Sequence, residues 1–273
     1  MKRLTVIIWL GCIFSLYGAQ LGIVVPAYFS PGPLWSSMDW AAERVPLIAI
    51  MNPNSGPGTA RNTQYVAAIK NLRTAGGRVI GYVSTSYAKR SAEVVKAEVE
   101  HYCSWYEVDG IFLDEFTNDS NANHLTYYAE LYQYIKTKGT NLLVIGNPGT
   151  NTREAYLTRS CADALVTFEN GVGYSNYVAD AWVTKYPARR LCHLVYAVPS
   201  ATTMSNFVNL AVARNSGWIY VTSDGGANPW DTLPLYWTNE VNYIRALNNS
   251  APAASLRARI KAGTWTRMPM LMR

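Results

Sequence analysis

Three acids, Asp114, Glu115 and Glu169, stand where apolar runs end. Asp114-Glu115 closes Gly110-Ile111-Phe112-Leu113, and Glu169 closes Leu165-Val166-Thr167-Phe168. Two carboxylates from separate strands can divide one reaction: one protonates a leaving oxygen while the other attacks or activates water. That is the chemistry of glycosidic bond cleavage. Comparable positions supply amides at Asn52, Asn147 and Asn170, phenols at Tyr28, Tyr82 and Tyr196, a hydroxyl at Thr85 and a further acid at Asp224. Amides hold hydroxyls and aromatic rings stack on the apolar face of a pyranose. These residues are therefore the candidate substrate-binding set beside catalytic Asp114, Glu115 and Glu169. Histidine is missing from it. His101 and His124 fall in helical patterns and His193 at the start of an apolar run, so neither a zinc hydrolase nor a histidine-dependent triad is expected.

Each position also has a plainer use. An acid ending an apolar run can cap the next loop, but Glu115 doubles the charge of Asp114, and two adjacent buried acids are costly without a task. Asp224 lies in Thr222-Ser223-Asp224-Gly225-Gly226, which is also ordinary turn chemistry. Lys89-Arg90 either face the substrate or start a helix. Trp230, Tyr236 and Trp237 either form a sugar platform or pack on a rim. Tyr127, Tyr128 and Tyr132 have helical spacing and read as packing.

Positioning these groups requires regular elements. Strands are expected over residues 23–28, 46–50, 78–83, 110–114, 142–146, 164–168, 191–196 and 218–222. Helices are expected over 37–44, 63–75, 92–106, 124–137, 153–159, 175–185, 204–215 and 240–248. In the second helix Val66, Ile69, Leu72 and Arg73 follow helical spacing, and Gly76-Gly77 ends it. Strands apolar on both faces, alternating with helices, make a covered parallel sheet. Eight such units favour closure into a single-domain α/β barrel, the (β/α)8 TIM barrel, whose strand ends converge on one mouth. No GxGxxG or Walker loop follows a strand, which weakens a nucleotide-binding alternative.

The 273 residues are enough for one such barrel, and 19 Tyr with 9 Trp offer many aromatic faces. Lys2 and Arg3 precede an apolar run from Leu4 to Leu16, so residues 1–20 read as a signal peptide, too short for a comfortable membrane span. The product is expected to be secreted, with no stable membrane insertion. Residues 251–273 form a basic tail with Arg257, Arg259, Lys261, Arg267 and Arg273. Without these five, Lys2 and Arg3, the 24 basic residues no longer exceed the 18 acids, and a nucleic-acid patch is not supported. Cys103, Cys161 and Cys192 leave either one bridge or three buried thiols. Residues 21–250 form the one expected domain, a monomer without a cofactor.

The chain resembles spherulation-specific family 4, the spherulin 4-like proteins classified with glycoside hydrolase family 135. The resemblance rests on Val25-Pro26-Ala27-Tyr28-Phe29, Ile48-Ala49-Ile50-Met51-Asn52-Pro53-Asn54-Ser55-Gly56-Pro57-Gly58 and Val79-Ile80-Gly81-Tyr82-Val83-Ser84-Thr85-Ser86-Tyr87. It continues in Val108-Asp109-Gly110-Ile111-Phe112-Leu113-Asp114-Glu115, Asn147-Pro148-Gly149-Thr150 and Phe168-Glu169. It implies a (β/α)8 barrel and an endo-acting hydrolase of α-1,4-linked N-acetylgalactosamine, as in the galactosaminogalactan of fungal walls and biofilms. It also implies that Asp114, Glu115 and Glu169 form the catalytic centre. The resemblance does not extend into the basic tail. Two alternatives stay open: a non-catalytic carbohydrate-binding barrel, and a divalent-metal enzyme with Asp114, Glu169 and Asp224 as oxygen ligands.

Overall fold

The computed structural model describes residues 20–250. The expected signal peptide, up to residue 19, and the basic tail lie outside them. Eight parallel strands follow one another around a closed barrel: β1 (Gly22–Ala27), β2 (Leu47–Met51), β3 (Arg78–Ser84), β4 (Gly110–Asp114), β5 (Leu143–Gly146), β6 (Ala164–Asn170), β7 (Leu191–Val195) and β8 (Trp218–Val221). The ring closes where Gly22 and Ile23 pair with Trp218 and Ile219. All of Leu47-Ile48-Ala49-Ile50-Met51 is buried, as a strand between a filled interior and a helical coat must be. Glycine is required where β4 meets β5: a Cβ on Gly110 would lie 2.1 Å from the Leu143 carbonyl oxygen.

Seven α-helices cover the described barrel: α1 (Pro33–Ala42), α2 (Thr63–Thr74), α3 (Ala92–His101), α4 (Ala122–Lys138), α5 (Ala155–Thr158), α6 (Ala201–Ala213) and α7 (Trp237–Ser250). In α2, Asn62 caps the start by accepting from Gln64 N, and Tyr65, Ala68, Ile69 and Leu72 form the buried stripe. Ile69 and Leu72 lie in that stripe as expected, whereas Val66 is only half-buried and Arg73 leaves the core to pair with Asp109.

Two helical expectations are corrected. The stretch 92–106 is α-helical only to His101 and continues as a π-helix, Tyr102–Tyr106, which buries both tyrosines. The Tyr102 ring lies against Gly81, where a Cβ would come within 2.5 Å of it. The expected helix over 175–185 is instead a series of 3-10 turns, Tyr174–Asn176, Ala181–Lys185 and Ala188–Arg190. Four of its backbone carbonyls accept from side chains outside it. Arg214 donates to Tyr174 O and Ser175 O, and Asn215 to Val183 O and Tyr186 O. External donors remove the advantage of an internal helical ladder. Among the described residues no helix is long and apolar enough to cross a membrane, and Cys103, Cys161 and Cys192 are free thiols.

Candidate active site

Asp114 is the last residue of β4, and Glu169 lies at the C-terminal end of β6. Between them, just past β5, stands Asn147. Its Nδ2 donates to Asp114 Oδ1 at 2.7 Å and to Glu169 Oε2 at 2.6 Å. The two acceptor oxygens are therefore no farther apart than those two bonds laid end to end. The backbone fixes this bridge on both sides. Asn147 N donates to Leu113 O, Phe116 N donates to Asn147 O, and Glu169 N donates to Gly149 O. Gly149 has φ 65°, a left-handed conformation that favours glycine, and a Cβ there would press within 3.4 Å of Glu169 Cβ.

The two acids are held in different electrostatic states. Burial, reinforced by the charge of Asp114, raises Glu169 to about 7, with the Asn147 bond opposing. Burial also raises Asp114, but hydrogen bonds from the Glu115 backbone, Asn147 and the Tyr82 hydroxyl favour its charged form. Near neutral pH this arrangement keeps a proton available on Glu169, beside an Asp114 whose charged form these hydrogen bonds favour against the opposing burial. Glu115 enters from the β3 side. Its side chain accepts from Ser84 Oγ, and its backbone is left-handed at φ 49°.

Tyr28 and Tyr82, at the ends of β1 and β3, line the same mouth with their rings 5.4 Å apart, edge to face. Burial raises the pKa of both phenols, and the nearby charges of Asp114 and Glu169 raise it further. Both stay neutral hydrogen-bonding groups. Tyr196 stands edge-on to Trp230, while Trp230, Tyr236 and Trp237 are buried in the rim. The choice between platform and packing goes to packing for these three.

Several expected sugar ligands also make hydrogen bonds within the protein. Thr85 is fully buried, and its hydroxyl bonds Asp114 O, Glu115 O and Tyr128 OH, so it braces the loop out of reach of substrate. Asn147 holds the two acids. Asn52 Oδ1 accepts from Gly56 N within its own loop, and Asn170 Oδ1 accepts from Val172 N. Asp224 Oδ1 accepts from Gly225 N, as a turn residue does; a hydrogen bond with Asp224 also raises the pKa of neighbouring, exposed Asp231. Arg90 pairs with Glu98 and donates to Ser84 O, away from the mouth. Ser84 was the residue missed. Strand alternation puts it on the same face as Tyr82, whereas Thr85 points the other way. The buried His193 sits between Tyr174 OH and Thr167 Oγ1, and burial lowers it to about 3, so it acts in the core.

Shared cation binding by Asp114 and Glu169 would need the gap that the Asn147 amide donor fills. Among the described residues no three His, Cys, Asp or Glu side chains converge as metal ligands. A cleft of about 500 Å³ lined mainly by the loop after β2, with residues such as Pro57, Arg61 and Tyr106, contains none of the acids.

The sequence profile of spherulation-specific family 4 matches residues 22–244. Spherulin-4 of Physarum polycephalum is 35% identical over 244 residues, covering 83% of this chain and 70% of that one. The crystal structure of Aspergillus clavatus Sph3 in complex with GalNAc superposes with a TM-score of 0.73 at 26% identity, over 85% of this chain and all of the other. An Anoxybacillus α-amylase superposes at 0.57 with 10% identity, over 88% and 80% of the respective chains, and shares the fold.

Proposed function

The chain belongs to spherulation-specific family 4, and from that premise we propose that it is a secreted endo-acting glycoside hydrolase of N-acetylgalactosamine polymers. One observation carries the reading: a single amide ties Asp114 and Glu169 together through bonds of 2.7 and 2.6 Å. Those two oxygens thus lie no farther apart than the roughly 5–5.5 Å spacing of retaining glycosidases and well short of the roughly 6.5–9.5 Å that leaves room for an inverting water. The bound GalNAc of the Aspergillus clavatus relative supports the choice of sugar, and the implied α-1,4 linkage remains part of the proposal.

Glu169, protonated near neutrality, gives its proton to the glycosidic oxygen as the bond to the anomeric carbon breaks. The Asp114 carboxylate bonds to that carbon, forming a glycosyl-enzyme ester. Glu169, now charged, takes a proton from water as the water oxygen attacks the same carbon and releases Asp114. Tyr82 and Asn147 stabilise the Asp114 carboxylate before attack and after release. Glu115, fixed by Ser84, orients the sugar from the β3 side.

Purified galactosaminogalactan incubated with the protein is expected to yield new reducing ends and a ladder of oligosaccharides by mass spectrometry. Asp114→Asn and Glu169→Gln should each abolish cleavage with folding intact. Wild-type-like turnover in either variant removes that residue from the mechanism. Polymer bound without new reducing ends would make the barrel a lectin.

A further inference from the structure

The segment after β3 carries three successive non-glycine residues in the left-handed region: Ser86 at φ 47°, Tyr87 at 56° and Ala88 at 63°. Such runs are disfavoured for L-residues and persist only where the surroundings enforce them. Here they do. Tyr87 N donates to Glu115 O at 2.7 Å, Lys89 N to Ser86 O and Arg90 N to Thr85 O, above the buried Thr85 anchor. The segment is thereby tied directly to the backbone of the acidic pair.

This forced turn presents one side chain to solvent. Tyr87 is 52% exposed and is the only exposed aromatic residue among those described. Its ring therefore adds little packing in return for the strain. Its hydroxyl nevertheless lies in the field of all three mouth acids. After its own partial desolvation, Glu115, then Asp114 and Glu169, raise its pKa. The bond from Tyr87 N to Glu115 O sets this exposed residue on the Glu115 side of the acids.

We propose that Tyr87 is a sugar-stacking platform, held by the left-handed turn to receive the apolar face of the pyranose next to the one being cleaved. The proposal rests on the hydrolase reading for its choice of sugar and adds a neighbouring subsite to it. A polymer cut internally must occupy such a subsite, and an exposed ring fixed to the acids' backbone is suited to bind it without touching the reacting atoms.

The test uses binding rather than turnover. In an Asp114→Asn background, titration with an α-1,4-linked N-acetylgalactosamine pentasaccharide should show Tyr87→Ala weakening Kd about tenfold, with Tyr87→Phe near the parent. Tyr87→Gly should bind as weakly as Tyr87→Ala yet melt no lower than the parent, because glycine accepts φ 56° freely. A purely structural tyrosine predicts the opposite pattern, with lower melting and unchanged Kd. Unchanged pentasaccharide affinity in Tyr87→Ala overturns the platform, as does absence of binding in the parent. Wild-type protein that makes no reducing ends, with Tyr87-dependent binding intact, would sink the hydrolase reading alone.

Discussion

At the scale of single residues the centre of the site is an amide. Asn147 reads from sequence as a sugar ligand because it follows a strand among other polar residues, and the chain cannot show which neighbours an amide will face. Only the closed barrel brings β4 and β6 to either side of it. Truncating it as Asn147→Ala leaves its backbone bonds in place and removes the donor shared by the acids. We expect kcat to fall about 100-fold with little change in KM, in the range of other lost oriented donors. The pH profile gives the sharper readout. In the proposed mechanism Glu169 must be protonated to act, so activity should fall as pH rises through about 7. Asn147 favours the charged form, so its loss should move that alkaline limb to higher pH. An unmoved limb would mean that the amide does not set the proton on Glu169. Thr85 and Ser84 teach the complementary lesson, since period-two alternation alone was enough to choose between them.

At the scale of elements, strand positions were legible because runs such as Leu47–Met51 are short, apolar on both faces and bounded by Pro46 and Pro53. Helix ends were less so. α1 begins at Pro33 and α7 at Trp237, each before the first expected helical residue. The 3-10 segment was hidden because its cause, donation by Arg214 and Asn215, sits about thirty or more residues away. α7 also hides a group that no pattern revealed. Glu240 is fully buried behind β8, where Oε1 accepts from Val221 N and Oε2 has no hydrogen-bond partner among the described residues. Burial raises its pKa well above the usual carboxylate value. A carboxyl raised in the folded state adds stability at low pH and loses it as pH climbs toward the folded pKa, because only the unfolded chain ionises freely. Melting temperatures measured from about pH 5 to about pH 9 should therefore fall more steeply for wild type than for Glu240→Gln, which cannot ionise. Parallel curves would show that Glu240 is charged or exposed in solution.

At the scale of the whole molecule, the two barrel ends divide labour. At the strand starts, Asp109 pairs with Arg73 and accepts from Val79 N, while Asp163 pairs with Lys136 and accepts from Val144 N. These acids fasten helices to strands. At the other end Asp114 and Glu169 are raised by burial and share one donor, the pattern of groups arranged for reaction. Eight alternating units made that polarity readable from sequence, since the barrel fixes which end of every strand faces the mouth. The distance between the acids was not readable, because it depends on how β5 seats Asn147 between its neighbours. That distance yields the most direct test of the account. The anomeric proton signals of newly released reducing ends, followed by NMR during cleavage of α-linked N-acetylgalactosamine polymer, should show the α form first and the β form only by later mutarotation. Release of the β form first would contradict an Asp114 nucleophile held close beside Glu169.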